Sequence, residues 1–315
     1  MDFRRLKLLR RTPRRDRLQG GLTDASVNAF RKISETRARV GCQGWNYDDW
    51  VTPPPPARAV FYPRGTRADR MLDAYARAFD TVEVDSTFYA VPSDATFDGW
   101  ARRTPDGFTF ALKLPREITH EHALRGARSM EVLEEFCRAA RRLGDKLAAV
   151  LVQLPPQFEA TRENVRALAE FLPLLPRDLR FAVEFRDPFW FEEDLLAPLA
   201  DFAHVSLALV EGPWVTRERI WRAAAPLLDS TDFAYLRWMG ARDITRFDEV
   251  ARPRDANLER WAAAVERLRD RVPHVFAYFS NFYEGHAPAS ANKLKRLLGE
   301  HTTEPEDLEN QPSLF

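Results

Sequence analysis

Eight short runs rich in β-branched and aromatic residues punctuate the chain, starting near Val40, Thr81, Phe108, Leu147, Leu179, Val205, Asp232 and His274. The starts are roughly 33 residues apart, the length of one strand plus one helix and its turns. Between them, apolar residues recur three or four positions apart, as on one helix face: Met71, Leu72, Tyr75, Phe79; Leu133, Phe136, Ala140, Leu143; Val165, Leu168, Leu172; Leu258, Trp261, Val265, Leu268. The stretch 213–231 is weakly periodic and holds Pro213 and Pro226, so its helix is expected to be short or irregular. Strands alternating with helices predict a parallel sheet. Eight of them, with no Gly-rich dinucleotide fingerprint after the first, fit a closed (β/α)8 TIM barrel better than an open doubly wound sheet. The barrel is expected over residues 40–299, with the Pro53–Pro56 run as a stiff connector in a long first loop.

Charge separates the flanks from this body. The chain has 47 basic and 47 acidic side chains, but residues 1–39 carry 12 Lys/Arg against 4 Asp/Glu, a net +8. Residues 300–315 are −5, which leaves the body at −3. A basic, disordered arm and a short acidic tail are expected at the two ends. The arm, with Arg4, Arg5, Arg14, Arg15 and Arg17, is the one place where nucleic acid or an anionic surface would bind, because the body lacks the broad positive field of a phosphate-tracking protein. Two cysteines, Cys42 and Cys137, are too few for a disulfide framework, and no leader pattern opens the chain, so a cytoplasmic protein is expected. No apolar run approaches the roughly 20 residues of a membrane span.

Side chains alternate along a strand, and in a barrel polar ones face the lumen more cheaply than the helices. The inward set then includes Glu83, Asp85 and Thr87 on the second strand, Lys113 on the third and Gln153 on the fourth. Glu184 and Arg186 follow on the fifth, Arg237 on the seventh and Asn281 on the eighth. All lie toward the C-terminal ends of their strands, where active sites of this fold are built. Such a cluster reads either as a ligand pocket or as a charged plug whose ions merely pair with one another. Trp45, Asn46, Tyr47 and Trp50 of the first loop and Phe88 and Tyr89 of the second either wall that pocket or pack within their loops.

His204 and His274 precede strands, leaving His120, His122 and His286 to reach the mouth, too few for a multinuclear zinc centre. No cofactor is evident, although one oxygen-bound Mg²⁺ or Mn²⁺ between Glu83, Asp85 and Glu184 stays open. Gly285 and Pro288 frame the start of the last helix, whose free N–H groups near His286 would suit an anion.

These residues sit in ordered segments, among them GCQGWNYDDW (41–50), FYPRG (61–65), FDTVEVDSTFYAVP (79–92), FALKLPREITH (110–120), LVQLPPQF (151–158), AVEFRDPFW (182–190), AYLRW (234–238) and YFSNFYEGHAP (278–288). From about Val40 to Leu298 the chain thereby resembles the domain-of-unknown-function 72 family, the YecE-like proteins. The resemblance implies a TIM barrel with a pocket at the strand C-termini, and it implies no reaction. Two positions depart from the family pattern: Asp85, where Val-Glu-Ile-Asn is common, and Met239-Gly240, where His-Gly is common.

The functional expectation is an enzyme acting on a small polar or anionic molecule. Lys113, Arg186 and Arg237 would hold negative charge, Glu83 or Glu184 would serve as acid or base, and Lys113 would join them in catalysis. Asp85, Gln153, Asn281, His286, Trp45 and Tyr89 would complete the binding set. Alternatives are glycoside hydrolysis by the two glutamates, a metal-dependent phosphodiesterase or nucleic-acid repair barrel, and a non-catalytic metabolite-binding barrel.

Overall fold

The structure, a computed structural model, describes residues 37–192 and 194–310. Of the expected basic arm, residues 1–39, residues 1–36 lie outside them, and Ala38 and Arg39 belong to the first strand. Eight strands form one closed, all-parallel barrel in sequence order. They are β1 Ala38–Gln43, β2 Thr81–Val84, β3 Thr109–Lys113, β4 Leu147–Gln153, β5 Phe181–Glu184, β6 Val205–Glu211, β7 Phe233–Trp238 and β8 His274–Phe279. Each begins within two residues of its expected start. β1 closes the ring on β8, with Val40 opposite Ala277 and Cys42 opposite Phe279.

The outer layer contains the helices α1 Met71–Ala78, α2 Asp94–Arg102, α3 Gly126–Ala140, α4 Arg162–Phe171, α5 Arg217–Ala224, α6 Asp255–Arg269, the turn α7 Asn281–Glu284, and α8 Ala287–Leu297. Their starts follow local chemistry. Ser93 and Thr161 place side-chain oxygens on the backbone N–H groups of Thr96 and Asn164, capping α2 and α4. The apolar stripe of α3 buries Val132, Leu133, Phe136, Cys137 and Ala140 against the strands. Burial lifts the Cys137 thiol to about 12, and Cys42 is also buried and raised, so both cysteines serve as packing.

Among the described residues, the connection between β5 and β6 has no α-helix. It makes 3₁₀ turns, Pro188–Phe191 and Ala197–Asp201, each with a proline near its start. Trp190 takes the place of a helix there, fully buried and stacked on Phe158 at 5.5 Å.

The acidic tail is not free as expected. Pro305–Asn310 forms a last helix, α9, with Leu308 only 1% exposed. Asn292 donates to the Thr303 carbonyl and Arg296 pairs with Glu304, tying the segment to α8. Five acids in 16 residues mark a solvated segment by composition, but one leucine at the right position is enough to dock it. Leu308→Ala is expected to cost about 2 kcal/mol in denaturant unfolding, the lower range for a buried leucine at a domain edge. A free tail would show no change.

Candidate functional site

The polar ring at the top of the lumen divides into a sealed layer and an open one. In the sealed layer Arg237 reaches from β7 to two opposite strands. Its Nε and Nη2 donate to the two oxygens of Glu83 at 2.9 and 2.7 Å, and its Nη1 donates to Glu184. Tyr235, two residues earlier on the same face of β7, donates its hydroxyl to Glu83 at 2.7 Å. The other oxygen of Glu184 accepts from Nε of Arg186 at 2.8 Å. Glu83 and Glu184 are 0% exposed and Arg237 2%.

The two carboxyls differ in acidity because they share one guanidinium. Burial works against the ionised form of both. At Glu184 the combined pull of Arg237 and Arg186 wins and brings the pKa down to about 2. At Glu83 burial wins, with the negative charge of Asp85 adding to it, and the pKa lies above the ordinary carboxylate value. Every oxygen of both glutamates is engaged inside the protein, so neither faces a space that a substrate enters. Arg237 also fills the gap between them in which a Mg²⁺ or Mn²⁺ ion would have been held. Among the described residues, no three His, Cys, Asp or Glu side chains gather as a metal set.

The open layer lies above. Arg186, two residues past the end of β5, stacks its guanidinium 3.9 Å over Trp214, and its terminal nitrogens have no partner among the described residues. Lys113 ends β3. Its backbone is pinned by Thr87, whose hydroxyl contacts both the N–H and the C=O of Lys113 at 3.0 and 2.7 Å. Its ammonium lies 3.7 Å over the Phe88 ring and makes no ion pair among the described residues. Burial, helped by the charge of Arg237, draws its pKa down to about 8. The His120 ring meets the same Phe88 edge-on at 4.9 Å, and its Nδ1 contacts the Thr119 hydroxyl at 2.8 Å. Burial and the cations Lys113 and Arg186 lower His120 to about 4, so it is neutral near pH 7.

The remaining expected residues distribute as follows. Asp85 falls one residue past β2, half-buried, its carbonyl accepting from the Phe88 N–H at 3.1 Å and its carboxylate without a hydrogen bond or ion pair among the described residues. Gln153 sits in the sealed layer, 2% exposed, its amide donating to the Leu154 carbonyl. Trp45 packs edge-on against Trp100 at 5.6 Å, and Tyr89 is 73% exposed. Asn281 and His286 belong to a separate buried cluster around Trp50. The Asn281 carbonyl oxygen accepts from the Trp50 indole at 3.2 Å and from the Ala287 N–H at 3.0 Å. The first free N–H of α8 is therefore already used. The nearby Glu284 carboxylate, 1% exposed, bonds Ser290 and the Arg254 N–H, so the protein's own groups fill the expected anion site. Trp214 and His120 were not in the expected set. Trp214 lies in the weakly periodic 213–231 stretch, where the sequence carries no positional signal.

A cleft of about 760 Å³ opens at the opposite end of the barrel, lined by residues including Arg37, Arg39, Asp80, His274 and Lys295. Arg37 pairs there with Glu300 and Asp80, and Arg39 with Asp80. Lys295, 4% exposed and 5.4 Å over the Phe79 ring, makes no ion pair among the described residues.

The fold and this layering define a (β/α)8-barrel protein with a carboxylate–guanidinium clamp beneath a layer that holds Lys113, Arg186 and His120. The chain belongs to the family described as Protein of unknown function DUF72, which matches residues 39–313. It is 26% identical over 283 residues to the UPF0759 protein YunF of Bacillus subtilis, covering 82% of this chain and 94% of YunF. It is 36% identical to the UPF0759 protein YecE of Escherichia coli over 120 residues, 38% of this chain and 43% of YecE. A crystal structure of a DUF72 family protein from Thermotoga maritima superposes with a TM-score of 0.65 at 26% identity, covering 84% of this chain and 99% of that one.

Proposed function

We propose that the chain is an enzyme acting on a small anionic molecule bound at the C-terminal mouth of the barrel. The observation that carries this reading is that, among the described residues, the ammonium of Lys113 has no ion pair and the terminal nitrogens of Arg186 no partner, both cations act on His120, and the nearby glutamates are already spent on Arg237. A desolvated cation without a partner is costly, and a bound anion supplies the missing charge. Arg186 is pre-oriented by Trp214 and Glu184, so its outer fork is set to meet a carboxylate or phosphate group. Glycoside hydrolysis loses its support, because it needs two carboxyl groups that reach the substrate.

The test is melting of the full chain with malonate or inorganic phosphate. An anion at ten times its Kd should raise Tm by on the order of 3 °C. The rise should vanish in Lys113→Met and Arg186→Met, and a rise that persists in both overturns the reading. Stabilisation in the absence of any turnover across a broad screen of small acids identifies a binding protein instead.

Lys113→Met should itself be as stable as the parent or more so. The pKa of Lys113 is lower in the fold than in the unfolded chain, so its charged form penalises folding below about pH 8. That penalty is relieved as pH rises from about 8 toward the unfolded value of 10.5. The stability advantage of the Met variant should therefore be largest below pH 8 and shrink above it, which denaturant unfolding at pH 7 and pH 10 measures.

A further inference from the structure

We infer that Lys113 is the reactive amine of the mouth and forms an imine with the carbonyl carbon of a small 2-oxo acid whose carboxylate rests on Arg186. The inference rests on the anionic-substrate reading above and names the chemistry of the same site.

Six of the chain's 47 basic residues are lysines, and the rest are arginines. Arg237 and Arg186 serve as permanent cations. A lysine differs in that it can lose its proton and present a lone pair. Burial and the positive charge of Arg237 on β7 favour that loss. Asp85 at the end of β2, Glu184 on β5 and Glu83 on β2 oppose it, but the two glutamates are committed to Arg237 and Asp85 makes no ion pair with Lys113 among the described residues. The Phe88 ring, 3.7 Å from Nζ, favours the ammonium and fixes its place. With the pKa near 8, about half of the amines are neutral at pH 8, against well under 1% for an ordinary lysine. Desolvation beside another cation is a known way of preparing a nucleophilic lysine.

The neighbours fit the steps that follow. The neutral Nζ attacks the carbonyl carbon, and one of its protons passes to the carbonyl oxygen, giving a carbinolamine. That hydroxyl leaves as water with a proton taken from solvent, while the nitrogen lone pair closes the C=N bond. One amine, one carbonyl and one proton thus yield one protonated imine and one water, with no change of oxidation state. His120, neutral and packed on the same Phe88 ring, carries those protons through Nε2, because its Nδ1 is held by Thr119. Arg186 neutralises the adjacent carboxylate. The protonated imine then withdraws electrons from a bond at the neighbouring carbon, the step that aldol cleavage, decarboxylation and dehydration share.

Glyoxylate with cyanoborohydride tests the inference on the full chain, since hydride from the reagent fixes any imine as a carboxymethyl group. Peptide mass spectrometry should find Lys113 labelled at least about tenfold faster at pH 8 than any of the other five lysines, the margin left after the lower intrinsic nucleophilicity of a less basic amine. Its rate should level off above about pH 8. Labelling of Lys113 no faster than the rest overturns the imine. Lys113→Arg separates the two claims, because it should retain the malonate-induced rise in Tm while the preferential labelling disappears. If the parent shows the malonate rise without preferential labelling, the anion site stands and the imine falls. If it is labelled preferentially but malonate gives no rise, the imine stands and the anion reading falls.

Discussion

Arg237→Met should destabilise the protein by roughly 3–5 kcal/mol at pH 7, because it leaves two fully buried carboxylates without the cation they share. Glu184 keeps Arg186, but Glu83 keeps only the Tyr235 hydroxyl. Acid should narrow the gap. In the parent, the depressed pKa of Glu184 contributes stability that is complete above its unfolded value of 4.5 and is lost as pH falls toward about 2. Without Arg237 most of that contribution is already gone. Glu83, which is raised even in the parent, then takes up a proton early and relieves its own burial. Urea unfolding at pH 7 and pH 3.5 measures both effects. A variant within about 1 kcal/mol of the parent at pH 7 would mean that the clamp is not what it appears geometrically to be, a charged plug in a dry layer. The contrast with Lys113→Met, neutral or stabilising, separates the plug from the open mouth.

Gly240→Ala should be comparably severe. A Cβ at this position would lie 1.7 Å from the Phe282 carbonyl oxygen and 2.4 Å from its carbon, both of them backbone atoms of α7. Neither can swing aside as a side chain would. A loss of at least about 3 kcal/mol, beyond the usual 1–3 for an overpacked core, is expected in denaturant unfolding. The Met239-Gly240 pair thus has a packing reason for its second member whatever residue stands in the first.

The architecture was legible because each strand–helix unit writes its two periods into the chain, and unit length alone counted the strands. The alternation that selected Glu83, Lys113, Gln153, Glu184 and Arg237 held for as long as the strands lasted. It failed where they stopped. β2 ends at Val84, so Asp85 sits on the turn and Thr87 fastens Lys113 instead of lining a pocket. Parity also says which way a side chain points without saying how far it reaches. Arg237 spans the lumen to β2 and β5, and that reach turned two expected acid–base groups into acceptors. In the lower layer the ions pair with one another, as they would in a charged plug, whereas Lys113 has no ion pair among the described residues. The surroundings of Asn281 were not legible for a different reason: its amide oxygen accepts from a backbone N–H and from the indole of Trp50, 231 positions away, which no local pattern announces.

That same closure of first elements onto last has a consequence for synthesis. β1 finds its second neighbour only in β8, and Trp50 finds its hydrogen-bond acceptor only in α7. While a ribosome is still making the helices that precede His274, β1 has an unpaired edge, rich in free backbone N–H and C=O groups, available to any other extended chain. The growing polypeptide must therefore carry an open sheet through most of its translation, and the ring is completed in a single late step by the last strand to emerge.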